Sequence, residues 1–164
     1  MSSRTVVTID REAVRHNVAS VFARSNKQIF AVVKNNAYNL GMIEMVATLM
    51  EAGVRHFEVG SFLPAKHYPA FADVLSVIGI VKSLPGAHGA ALALNKRGTI
   101  DALESGVPEI GCVISASEEH NLANTKRSRE ETLSEVDNLC RLRDASDHKP
   151  LVSVGIAMSF GCSI

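Results

Sequence analysis

Short β-branched and aliphatic runs alternate along the chain with stretches whose apolar positions recur at three- and four-residue spacing. Thr5–Ile9 reads as a first strand. Asp10 stands at an N-cap, and Ala13, Val14, Asn17, Val18, Val21 and Phe22 form one helical stripe behind it. QIFAVVK, Gln28–Lys34, is almost wholly apolar and reads as a strand buried on both faces. A helix over about Met42–Ala52 is stopped by Gly53, and HFEVGSF, His56–Phe62, is the next strand. Pro64 and Pro69 bracket a loop, a helix covers about Ala70–Val81, and after Pro85-Gly86 the strand AALALN ends at Asn95. Thr99–Ser105 forms a short helix closed by Gly106. EIGCVISAS, Glu109–Ser117, is a strand leading into a long polar connection. Ser128-Arg-Glu-Glu131 fits a capping box opening a helix to about Arg143, and Leu151–Ser159 is the last strand.

This alternation builds a parallel sheet through βαβ crossovers, so the fold class is α/β. No linker or low-complexity segment interrupts it, and residues 1–164 read as one domain. A (βα)₈ barrel takes about 250 residues, so 164 residues hold roughly five or six units of a partial TIM-barrel-like sheet. Such a sheet leaves two edges and an unfilled interior. Either a second copy completes it, or it rearranges into an open doubly wound sheet.

Lys and Arg number 17 and so do Asp and Glu, so no global field draws the chain to nucleic acid or to an anionic membrane. The same balance removes the repulsion that opposes self-association, and a homo-oligomer is expected. No apolar run reaches the roughly 18 residues of a membrane span, and MSSRTVVTIDRE carries charge where a signal peptide is apolar, which suggests the cytoplasm. Cys112, Cys140 and Cys162 lie far apart, as structural thiols do.

Ligands of βα folds bind beyond the carboxyl ends of the strands, which here directs attention to residues 34–39, 58–62, 95–98, 115–118 and 159–162. Lys34, closing an apolar strand, is a usable amine once desolvated. Glu58 interrupts an apolar strand and must either contact Lys34 or line the site. The six histidines include no HxH or HxxxH pair, and Lys126, Arg127 and Arg129 form a basic cluster suited to a solvated loop or to a phosphate group.

IDREAVRHN followed by FAVVKNNAYNLG resembles the N-terminal part of the alanine racemases, over about residues 4–52. The resemblance implies pyridoxal phosphate as cofactor, with Lys34 as its Schiff-base lysine and Tyr38 supporting its phosphate. Asn39 stands where many members carry glycine, a change that a left-handed turn tolerates.

From about Glu51 the segments EAGVRHFEVGSFLPAKHYPAFAD, LPGAHGAALALNKRGTIDALESGVPEIGCVISASEEHNLANTKRSREETLSEV and SVGIAMSFGC resemble hydroxymethylglutaryl-CoA lyase. The resemblance implies a (βα)₈ barrel holding a divalent metal and cleaving a carbon–carbon bond of an acyl-CoA. Glu58, Ser61 and Ser159 fall on its catalytic motifs and Asn95 on a substrate-binding one. The first-strand Asp that ligates the lyase metal is replaced by QIFAVVKNNAY, and the histidine, Asn and Cys motifs of its last strands would lie beyond Ile164, so no metal ligands are assigned and cleavage is expected to be impaired.

The two resemblances divide the chain at about residue 52, as in a chimera of two barrels. Three readings follow: an impaired lyase acting on an acyl-CoA, an alanine racemase-like protein acting on an amino acid through Lys34, or a catalytically silent scaffold. In the first two the partner is a small-molecule substrate.

Overall fold

The computed structural model describes residues 8–161. Five strands, β1 (Phe30–Val32), β2 (His56–Ser61), β3 (His88–Leu92), β4 (Glu109–Ser115) and β5 (Leu151–Ala157), pair in parallel in the order β1-β2-β3-β4-β5. They form a curled half-barrel of the TIM-barrel type. Strand order follows chain order without the reversal that a doubly wound sheet requires, which removes that alternative.

The helices are α1 (Arg11–Ser25), α2 (Lys34–Asn39), α3 (Met42–Glu51), α4 (Val74–Ser83), α5 (Lys96–Ser105), α6 (Glu118–Thr125) and α7 (Arg129–Ala145). A 3-10 turn at Pro69–Phe71 precedes α4. Asp10 caps α1 by accepting from the Glu12 and Ala13 amides, and the capping box of Ser128 and Glu131 opens α7 as its sequence predicts. The core lies between sheet and helices, where Phe57, Val59, Ala91 and Ile110 of the strands meet Val46, Val77, Val81, Ala102 and Leu139.

Three expectations change. The strand expected over Thr5–Ile9 falls largely outside the described residues, and Thr8 and Ile9 are not in a strand. The strand expected to be buried on both faces is a three-residue strand with Phe30 45% and Val32 38% exposed, because among the described residues β1 has a neighbour on one side only. The polar connection after β4 contains α6, whose N-cap Ser117 and first-turn Glu118 and Glu119 are a helix start. At the other edge Leu151 is 63% and Ile156 62% exposed.

Candidate active site at the barrel mouth

All five strands point the same way, so the residues that close them share one end of the half-barrel. At β1 the chain leaves Val33 and turns through Asn35, Asn36, Ala37 and Tyr38, all between φ +51° and +57°, and Asn39 at φ +64°. A left-handed turn costs L-residues about 1–2 kcal/mol each, least for asparagine, which occupies three of these five positions. Among the contacts that hold it, the Ala37 amide donates to Val33 O at 2.8 Å, and Met42 N donates to Asn36 Oδ1 at 2.8 Å. The turn buries Ala37 and leaves Tyr38 exposed.

Lys34 Nζ donates to Glu58 Oε1 at 3.0 Å, with the side chains 30% and 20% exposed. Strand pairing brings them together: Val32 is level with Glu58, and Val33 N donates to Glu58 O at 2.9 Å. Of the two alternatives for Glu58, contact with Lys34 or lining the site, the contact is present. Immediately beyond, the β2–β3 register shifts between Glu58 and Gly60. Gly60 lies at φ +151°, where a side chain is strained and a Cβ would press on Val74 Cγ2 of α4 at 3.1 Å. Ser61 follows, buried at the end of β2.

Asn95 sits three residues past β3 and caps α5, its Oδ1 accepting from Gly98 N at 2.9 Å. It also lines a cleft of about 600 Å³ between the loop after β2 and α5, walled by Phe62, Leu63, Phe71 and Val74. Ser159 lies in the exposed turn after β5, where its Oγ donates to Ile156 O at 2.6 Å. The sheet thus brings Lys34, Glu58 and Ser61 onto adjacent strands, sets Asn95 one strand further, and leaves Ser159 at the opposite edge from Lys34.

The sequence reading did not single out a network at the end of β4. Ser115 Oγ and His120 Nδ1 are 2.8 Å apart, and Asn121 Oδ1 accepts from Ser115 N at 2.9 Å. Asn121 is wholly buried, and its Nδ2 donates to Arg127 O and Thr132 Oγ1. Recognising Ser117 as an N-cap would have placed His120 in the first turn of a helix at the mouth. The basic cluster is engaged internally: Arg127 Nη1 donates to Leu94 O, Arg129 pairs with Glu118, and Lys126 Nζ donates to Ala123 O. Burial pushes the Cys112 thiol up to about 11, so it is held as a thiol. Cys162 lies outside the described residues.

Among the described residues no three His, Cys, Asp or Glu side chains gather as a metal site. The donor chemistry at the mouth points the same way, since the Glu58 carboxylate is already matched by the Lys34 ammonium, and a divalent cation there would face a like charge. The residues present do not fit the lyase metal. Lys34 and Tyr38, the residues that the racemase resemblance assigns to pyridoxal phosphate, lie on one turn at the mouth.

The chain is 35% identical over 120 residues to the 3-hydroxy-3-isohexenylglutaryl-CoA/hydroxymethylglutaryl-CoA lyase of Pseudomonas aeruginosa, covering 73% of this chain and 39% of that enzyme. It is 42% identical over 59 residues to the alanine racemase of Fusobacterium nucleatum, covering 35% of this chain and 17% of that one. The solved hydroxymethylglutaryl-CoA lyase from Pseudomonas aeruginosa superimposes with a TM-score of 0.70 at 29% identity, over 82% of this chain and 47% of that one. The chain spans less than half the length of these curated and solved lyases. A sequence model of the family described as alanine racemase, N-terminal domain, matches residues 9–162, and the chain belongs to that family.

Proposed function

We propose that the mouth of this half-barrel binds the carbonyl group of an acyl-CoA-type compound, and that carbon–carbon cleavage of the hydroxymethylglutaryl-CoA lyase kind is impaired in it. The observation that carries this reading is the Lys34–Glu58 pair at 3.0 Å, at the point where the two family patterns meet. Lys34, paired with Glu58 at the mouth, donates to the carbonyl oxygen, favouring negative charge on it. One ammonium brings a single charge, where a divalent metal would act as a Lewis acid on the enolate that cleavage releases. Ser61 and Asn95, on the next strand ends, provide polar groups for the rest of the ligand.

A hydroxymethylglutaryl-CoA turnover assay with and without magnesium or manganese tests this. The expected result is slow or no release of acetoacetate that added metal does not raise. Robust metal-dependent turnover would mean that a complete metal site forms, contradicting the reading.

A second reading is favoured by the family match over residues 9–162 and by Lys34 and Tyr38 sharing one left-handed turn. In it Lys34 holds pyridoxal phosphate covalently and Tyr38 its phosphate. When bound, the cofactor supplies an electron sink for carbanion chemistry on an amino acid. Lys34 must first leave Glu58 and lose a proton. In either reading a homo-oligomer follows from the two edges, β1 and β5, that are unpaired among the described residues, and from their exposed Phe30, Leu151 and Ile156. A sedimentation mass of one chain for folded protein contradicts that part.

A further inference from the structure

We propose that His120 presents its Nε2–H to a carbonyl oxygen bound at the mouth, with Ser115 as the positioning residue that fixes this tautomer. The inference rests on the reading of the mouth as a carbonyl-binding site. Ser115 closes β4, is 2% exposed, and has its Oγ 2.8 Å from His120 Nδ1. Among the described residues that nitrogen is the one hydrogen-bond partner of the hydroxyl.

If Nδ1 carried the ring proton, it would donate to the serine oxygen and leave the buried hydroxyl proton without an acceptor, a costly arrangement. With the serine donating to Nδ1, both groups are satisfied, and the neutral ring carries its proton on Nε2. Among the described residues nothing hydrogen-bonds Nε2, which is also not among the buried unpartnered atoms, and the histidine is half-buried, so Nε2 is not sealed from solvent.

The ring is held firmly for such a role. The His120 amide donates to Ser117 Oγ at 3.2 Å, and the neighbouring Asn121 ties the end of β4 to the start of α7. A neutral imidazole fixed in this way at a strand end is a preorganised donor for oxygen that gains negative charge. The motif adds a second donor on β4, two strands from β2, where Lys34 meets Glu58.

The test is nitrogen-15 NMR of histidine-labelled full-length protein, combined with calorimetric titration of acetyl-CoA. The expected spectrum shows His120 Nδ1 unprotonated and Nε2 protonated. Ser115→Ala loses that preference and Ser115→Thr, which keeps the hydroxyl, retains it. The expected titration moves the His120 Nε2 resonance, and His120→Ala weakens acetyl-CoA binding about three- to tenfold, as the loss of one neutral hydrogen bond does. A ring protonated on Nδ1 overturns the inference, as does acetyl-CoA binding that leaves Nε2 unmoved, and in both cases the wider reading survives. No acetyl-CoA binding by the wild type overturns the reading and the inference together.

Discussion

Lys34 Nζ and Glu58 Oε1 are 3.0 Å apart, so the amine that closes β1 is held by a carboxylate of β2 before either meets a ligand. Covalent capture of pyridoxal phosphate needs the Lys34 amine released from this contact and free to attack the aldehyde. Glu58→Gln should therefore raise the visible absorbance that pyridoxal phosphate develops with the protein several-fold, at equal concentration. Lys34→Ala should abolish the increase. Equal bands in wild type and Glu58→Gln would show that Glu58 does not restrain the amine.

Gly98 lies in the first turn of α5, where alanine would ordinarily stabilise a helix by about 1 kcal/mol. Here a Cβ would come within 2.8 Å of Phe62 O, a backbone atom of the loop leaving β2. Overpacking of this kind costs about 1–3 kcal/mol and outweighs the propensity gain. Gly98→Ala is expected to lower the urea midpoint, and a raised midpoint would mean that α5 and the mouth loop separate freely.

Asn121 is fully buried and joins Ser115, Arg127 and Thr132 through one amide. Asn121→Leu keeps the branched outline but strands several buried polar groups, and should cost roughly 3 kcal/mol in chemical denaturation. A loss below about 1 kcal/mol would show that the end of β4 is fixed by its backbone alone.

The start of α7 provides a pH test. The Glu131 carboxyl is lowered from its ordinary 4.5, chiefly because it accepts from the Ser128 backbone amide. Its contribution to stability is present above that ordinary value and is lost as pH falls through the lower folded-state value. Glu131→Gln should therefore be less stable than wild type near neutrality and converge with it in acid. Ser128→Ala should cost about 1 kcal/mol as the N-cap is lost. A wild-type advantage that does not decline as pH falls below the ordinary 4.5 would contradict the assignment.

Much of the architecture was legible because its signals are local. The capping residues Asp10 and Ser128, the glycine stop at Gly53 and the apolar strands all follow from chain-neighbour chemistry. Burial of β1 was misread because an apolar run reports preference, while exposure of Phe30 and Val32 depends on which strands flank them. The Lys34–Glu58 contact was legible once two strands were expected side by side. The Ser115–His120 pair was not, because α6 is short and polar and its start was hidden among polar residues.

The most direct test of the central claim is calorimetric titration of acetyl-CoA into the metal-free protein and into Lys34→Ala. The account predicts saturable binding without metal that Lys34→Ala weakens about tenfold or more, as loss of a charged hydrogen bond does. Binding that requires added divalent metal, or that is the same in Lys34→Ala, would contradict it.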